Sequence, residues 1–377
     1  MNPRKLLIVL GTRPEAIKLS PVINELQGTD AFTVKVIFTG QHRDLVRPIF
    51  QFFDIEPDYD LDIMIPNQDL SHITRSVLDK MPDIYEKEDP EALMVQGDTT
   101  SAYLAAHSGF YQQIPVIHLE AGLRSGRRYD PFPEEINRRL ITQLTSLHLA
   151  ATEFNRQTLL DENIPGDSIY VTGNPVIDAL KSIQKELETS TSPPEVLESI
   201  DPDHRILLLT SHRRENWGKE QRNIFQSITE ITEAFPDVEV IFPAHPNPVV
   251  MDAAQQMLGG RERIHVVGPM EYFDFLAVMN RSYLILTDSG GVQEEAPALG
   301  KPVLILRQTT ERKEIIESGQ GKLVGTDPNT IIKETEILLT QETAYQQMSY
   351  AQSPYGDGNA ARQVYQVLRD VDFSTLA

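Results

Sequence analysis

Short runs of continuous apolar residues recur along the chain, each closed by a polar or glycine-bearing turn and followed by a stretch with helical spacing. In the first half they are KLLIVL (5–10), TVKVIF (33–38), ALMVQ (92–96), PVIHL (115–119) and LHLAA (147–151). The second half repeats the rhythm with RILLLT (205–210), VEVIF (238–242), IHVVG (264–268), YLILTD (283–288) and PVLIL (302–306). A strand that alternates apolar and polar residues has one face in water, whereas a strand apolar throughout is covered on both faces. Runs of the second kind alternating with helices predict parallel sheets wrapped by helices, hence an α/β protein of two doubly wound domains. Between the halves, residues 179–205 are polar, charged and broken by Pro193, Pro194 and Pro202, which marks a domain boundary near or just before them.

In open α/β sheets ligands bind beyond the carboxyl ends of the strands, so the residues that follow each apolar run are the ones to read for chemistry. Two such domains are expected to present these edges to each other across a cleft. The first run ends in GTRPEAIKLSP, which puts Arg13 and Lys18 near a helix start. Cations there oppose the helix macrodipole, and a bound anion would resolve the conflict. QGDTT places Asp98 where it could cap a helix beginning near Thr99. HLEAG ends a buried strand in Glu120, and the following AGLRSG has no helical reading that would explain a carboxylate. DPFPEEINRRL brings Glu134 and Glu135 to the first turn of a helix, where acids are favoured. Asp98, Glu120 and one of these glutamates at a single rim would push one another's proton affinities apart, so that one site could hold both an acid and a base.

The second half answers with cations. TSHRRENWG sets His212, Arg213 and Arg214 at a strand's carboxyl end. In TDSGGVQEEAPALGKPVLILRQTTERKE a strand runs into Ser289, Gly290 and Gly291, where a helix begins. Backbone N–H groups at such a start bind phosphate. Glu295, one turn further in, is suited to a ribose diol, and Arg312 adds positive charge at the start of the next element.

Composition narrows the picture. A net charge of −21 over 377 residues disfavours binding to nucleic acid or an anionic membrane, because the summed field repels polyanions. The absence of cysteine removes thiol catalysis and thiolate metal sites. No G-x-G-x-x-G follows a strand, which disfavours hydride transfer through NAD, and neither H-E-x-x-H nor a compact set of metal ligands occurs. Neither a cofactor nor a metal is expected. No run approaches the roughly 18 apolar residues of a membrane span, and the N-terminal apolar run reads as a strand rather than a signal peptide. A soluble cytoplasmic protein is expected.

Taken together, GTRPEAIKLSPV, TGQHR, QGDTTSA, HLEAGLRSG, PFPEEINRR, TGNPVIDAL, TSHRREN, DSGGVQEEAPALGKPVLILR and TTER resemble, in order and spacing, the bacterial non-hydrolysing UDP-N-acetylglucosamine 2-epimerases over essentially the full chain. The resemblance implies a glycosyltransferase-B-like pair of Rossmann-like domains. Residues 1–175 with about 358–377 would form the first and 176–357 the second, SPYGDGNAARQVYQVL carrying the C-terminal helix back. It implies reversible conversion of UDP-GlcNAc to UDP-ManNAc by anti elimination of UDP, through 2-acetamidoglucal, and re-addition. By the same matching, Asp98, Glu120, Glu134 and His212 are the catalytic set, with Asp98 and Glu134 moving the C2 proton and Glu120 orienting the sugar. Arg13, Lys18, His212, Ser289, Gly290, Gly291 and Arg312 would meet the diphosphate, Glu295 the ribose and Phe275 the uracil. Met270 stands where some relatives have glutamine, so a uracil contact there would use backbone atoms. Many relatives are homodimers activated by UDP-GlcNAc at a second site, for which Gln41, Gln68, Arg213 and His245 are the candidates. The alternatives are a 2-epimerase of a modified UDP-HexNAc, such as a UDP-2,3-diacetamido uronic acid, and a glycosyltransferase of similar fold. A binding protein of periplasmic type would not need paired acids opposite a phosphate site.

Overall fold

A computed structural model describes residues 3–66, 68–189, 193–213, 216–245, 247–350 and 353–376. Arg214 lies outside these residues. The chain divides into two compact units, Met1–Lys181 with Tyr355–Ala377, and Ser182–Pro354. It leaves the first unit within helix Val176–Thr189 and returns at Tyr355.

The first unit holds strands β1 (Arg4–Leu10), β2 (Phe32–Phe38), β3 (Tyr59–Asp60), β4 (Ala92–Gln96), β5 (Val116–Ala121), β6 (Leu147–Ala150) and β7 (Ile169–Val171). They pair in the order β3-β2-β1-β4-β5-β6-β7, all parallel. Leu6 to Leu10 and Leu93 to Val95 have no accessible surface, as expected of strands covered by helices on both faces. The C-terminal helix Ala360–Asp370 packs on helix Arg13–Gln27 and is fastened at its start by Asp178, whose carboxylate accepts the N–H groups of Ala360 and Ala361 at 3.1 and 3.0 Å.

The second unit holds β8 (Arg205–Thr210), β9 (Val238–Pro243), β10 (Ile264–Val267), β11 (Leu284–Thr287), β12 (Val303–Ile305) and β13 (Gly321–Leu323). Their order is β10-β9-β8-β11-β12-β13, again all parallel. Phe225 and Phe242 meet edge-to-face at 5.4 Å in its core, among Leu207, Ile228, Val240 and Leu286. Each side chain of this kind contributes about 1.5–3 kcal/mol on burial. No helix among the described residues is long and apolar enough to cross a membrane.

Buried ionisable groups give the first unit a pH dependence. His118 and His148 are register partners on β5 and β6. Burial pushes them down to about 3 and about 4 from an ordinary 6.5. A histidine kept neutral by folding contributes stability that is present above pH 6.5 and lost as the pH falls towards its folded pKa. Glu15 works the other way: burial pushes it up to about 6 from 4.5, against hydrogen bonds that favour its charged form, so its contribution is lost as the pH rises through that value. Two histidines outweigh one glutamate. The first unit is expected to lose stability between pH 6.5 and 4, read as a lower urea midpoint at pH 5 than at pH 7; an equal or higher midpoint at pH 5 would contradict it.

Candidate active site

In the first sheet the strand order reverses between β1 and β4, so the crevice of a doubly wound fold opens at their carboxyl ends. Residues Gly11 to Arg13 leave one of these strands and Gly97 and Asp98 the other, with Glu120 on the neighbouring β5. Pairing between β5 and β6 slips between Leu119 and Ala121, which leaves Glu120 as the extra residue of a bulge, with φ of 67°. A non-glycine residue in this left-handed region costs about 1–3 kcal/mol and persists only where its surroundings impose it. Here the bulge turns the side chain onto two partners. Lys18 Nζ donates to Glu120 Oε1 at 2.6 Å, and Gln96 Nε2 donates to Oε2. The Lys18 and Glu120 side chains are only 10% and 9% exposed, so Lys18, expected at the diphosphate, is held by a carboxylate.

The expectation that Asp98 caps the next helix is not met. Thr99 caps helix Thr100–Tyr111, its hydroxyl oxygen accepting the Ala102 N–H at 3.0 Å. Asp98 instead takes two N–H groups of Arg138, Nε at 2.8 Å and Nη2 at 2.7 Å, while its carbonyl accepts from Asn137 Nδ2 at 2.9 Å. Helix Glu134–Leu144 therefore holds Asp98 from the side. It also separates the two glutamates that begin it. Glu135 is buried and accepts from the Ser125 N–H at 2.8 Å, from Arg139 at 3.1 Å and from Arg138 at 3.4 Å. Burial alone would raise its pKa, but these donors hold it below the usual range. Glu135 is a structural group, and Glu134, partly buried at the first helical position, is the one whose place fits chemistry.

Arg13 is the first residue of its helix and partly buried. Beside it, buried Glu15 accepts from Gly11 N, Thr12 N and the hydroxyls of Thr12 and Thr99 at 2.7–3.1 Å, which ties the loop after β1 to the loop after β4. Glu15 was not among the predicted residues, although the T-x-x-E spacing of a capping box signals it. Gln41 and Gln68 are neighbours: Gln68 Nε2 donates to the Gln41 carbonyl at 3.1 Å, and Gln41 Oε1 accepts from Ser101 at 2.7 Å.

The second sheet reverses between β8 and β11, and its charged groups gather at those carboxyl ends. Asp288, fully buried, accepts from the backbone N–H groups of His212 and Arg213 at 3.0 and 3.1 Å and from Asn216 Nδ2 at 2.9 Å. Its Oδ1 lies 3.1 Å from His212 Nδ1. Burial would raise the Asp288 pKa, but His212 and the loop N–H groups hold it low. Arg213 donates to the Asp288 carbonyl at 2.9 Å and pairs with Glu311 at 3.4 Å. His245 is pushed down by partial burial and by His212.

Helix Gly290–Ala298 starts directly after Ser289, whose own N–H is taken by the Thr287 hydroxyl at 2.9 Å. Gly290 is required by what lies against it: a Cβ there would stand 2.5–2.6 Å from the Arg312 guanidinium. Gly291 is exposed, with open space where its side chain would be. Arg312 donates to Glu294 through Nε at 2.7 Å and to Glu311 through Nη1 at 2.6 Å. Burial would raise Glu311, but Arg312, Arg213 and Arg307 hold it well below the usual carboxylate range. Glu295, expected at a ribose, accepts from the Tyr272 hydroxyl at 2.9 Å. Phe275, on helix Tyr272–Arg281, and Met270, just before it, are partly buried.

Two Rossmann-like units, each with its charged groups at the switch point of its sheet, define a protein of the glycosyltransferase-B-like class. A family model for UDP-N-acetylglucosamine 2-epimerase matches residues 24–369. The UDP-N-acetylglucosamine 2-epimerases of Yersinia pestis and Escherichia coli strain K12 are 45% and 43% identical over 370 residues, 97% of this chain and 98% of each of theirs. The crystal structure of UDP-GlcNAc 2-epimerase from Neisseria meningitidis bound to UDP-GlcNAc matches with a TM-score of 0.92 at 44% identity, over 97% of this chain and 99% of that one. The Methanocaldococcus jannaschii enzyme in complex with UDP-GlcNAc and UDP gives 0.83 at 35% identity, over 97% and 99%. The chain belongs to the UDP-N-acetylglucosamine 2-epimerase family.

Proposed function

We propose that this chain interconverts UDP-GlcNAc and UDP-ManNAc by anti elimination and re-addition of UDP. The observation that carries the reading is the pair of switch-point sites: carboxylates anchored by fixed partners in one unit, and a glycine-opened helix start beside Arg312 and His212 in the other. A carboxylate takes the C2 proton, the C1–O bond breaks with its electron pair going to the diphosphate, and a C1–C2 double bond forms. Re-addition of UDP with protonation on the opposite face gives the epimer. Developing charge on the diphosphate is stabilised by the N–H groups of the helix start together with His212, Arg312 and Arg13. Asp98 and Glu134 serve as the proton-transfer pair. Glu120 orients the sugar, a role supported by the two donors that already fix its carboxylate. Glu295 and Phe275 serve the ribose and uracil. Incubation with UDP-GlcNAc alone and chromatography of the nucleotide sugars tests the reading: UDP-ManNAc should accumulate to a fixed ratio, whereas a transferase would leave the substrate unchanged until an acceptor is added.

The protein is proposed to act as a homodimer that UDP-GlcNAc activates at a second site. Helix Thr100–Tyr111 supports the first proposal with Phe110 and Tyr111, 53% and 68% exposed. Gln41 and Gln68 support the second, because Gln68 Oε1 is buried with no hydrogen-bond partner among the described residues and could accept from a polar ligand. Arg213 and His245 are the candidates from the second unit. Sedimentation gives the mass directly. Activation requires UDP-ManNAc saturation curves that are sigmoidal alone and hyperbolic once UDP-GlcNAc is added.

A further inference from the structure

We infer that Asp288 is the positioning residue for His212, fixing the orientation of the imidazole and keeping its Nδ1 protonated so that Nε2 is the atom presented to the ligand. This rests on the role proposed above for His212. The geometry is that of a buried carboxylate behind a partly exposed ring. Asp288 has no accessible surface, the His212 side chain is 44% exposed, and Oδ1 stands 3.1 Å from Nδ1.

A carboxylate can only accept, so the nitrogen facing it carries hydrogen, and in the neutral ring Nε2 then holds the lone pair. When the ring is protonated, Nε2–H donates as well, and the fixed negative charge behind it balances the cation. During elimination the electron pair of the C1–O bond arrives on a diphosphate oxygen. An Nε2–H hydrogen bond to that oxygen strengthens as the charge grows, with no proton transfer required. Asp288 also holds the loop itself, through the N–H groups of His212 and Arg213 and through Asn216, so the ring and the backbone beneath it share one anchor. That anchor immediately precedes Ser289, which ties the position of the imidazole to the start of the anion-binding helix. Among the described residues His245 also bears on the ring, and its charge would oppose an imidazolium.

A carboxylate that merely stabilised the loop would show the same contacts to N–H groups, so the test must separate the two roles. Asp288→Asn is expected to lower kcat about 10- to 100-fold, as loss of the outer carboxylate that orients a metal-ligating histidine does, with KM changed by less than about threefold. In a His212→Gln background the same substitution should cost less than about twofold, because the group it acts through is gone. Equal losses in both backgrounds would overturn the inference. Where the variant folds poorly, the intact protein still decides: with 15N-histidine labelling and His212→Gln for assignment, His212 without ligand should give the Nδ1–H tautomer. A ring protonated only at Nε2 would overturn the inference whatever reaction the protein catalyses. An absence of epimerase activity in the unaltered chain would instead overturn the functional reading.

Discussion

Asp98→Asn is expected to lower kcat roughly a thousandfold, within the range for loss of a general acid or base, while KM for UDP-GlcNAc changes little. Asparagine keeps the shape and can still accept one Arg138 N–H, but it can neither take nor return a proton. Because Arg138 is 5% exposed, removing the charge also leaves a guanidinium with less compensation. Part of any loss could then come from displacement of helix Glu134–Leu144 rather than from chemistry. Arg138→Gln separates the two, since it breaks the same helix contact while leaving Asp98 a carboxylate that can take and give a proton, and it should retain far more activity than Asp98→Asn. If Asp98 and Glu134 act on opposite faces of C2, then Asp98→Asn and Glu134→Gln should also release different fractions of free UDP and glucal. Near-normal turnover by Asp98→Asn would remove it from the mechanism.

Arg312→Met should produce the largest stability change in the second unit. The Glu294 and Glu311 side chains are each 2% exposed, and Arg312 stands 2.6 Å from both. Glu311 keeps Arg307 and Arg213, whereas Glu294 loses a bidentate partner. Breaking a buried pair by deleting one member costs about 3–5 kcal/mol because the other charge stays desolvated. Arg312→Lys should fall between, since an ammonium cannot reproduce a guanidinium fork that reaches two carboxylates. Urea denaturation reads the change, with UDP affinity as a second measure. A loss under about 1 kcal/mol for Arg312→Met would mean that the network is not what holds the helix start.

The ten apolar runs all appear as strands, because extensive burial leaves a continuous hydrophobic signature, although β2 and the edge strand β10 are only partly buried. The strands the pattern missed are β3, β7 and β13, two or three residues each and all at sheet edges. Their exposure erases the signature: Tyr170 and Val171 in β7 are 36% and 37% exposed. Strand order was not legible either, yet it is the order that sets the loop carrying Asp98 beside the loop after β1 in one sheet and Asp288 beside His212 in the other. The residues proposed to act on the substrate, such as Asp98, Glu120 and His212, stood out as polar groups at strand ends. Those that hold them did not. Arg138 lies 40 positions from Asp98, and Asp288 lies 76 from His212, separations at which a sequence carries no sign of contact. Glu120 shows the limit from the other side: the anomaly of a charge closing a buried strand was visible, but not the bulge that turns it onto Lys18.

The central claim is that carboxylates of the first unit remove the C2 proton of UDP-GlcNAc from one face and deliver a solvent-derived proton to the other. Proton NMR of UDP-GlcNAc with the protein in deuterated water tests it most directly. A UDP-ManNAc anomeric signal should grow in as the C2 proton signal disappears through deuterium uptake. UDP-ManNAc that forms with its C2 proton retained, or a substrate that stays unchanged, would contradict it.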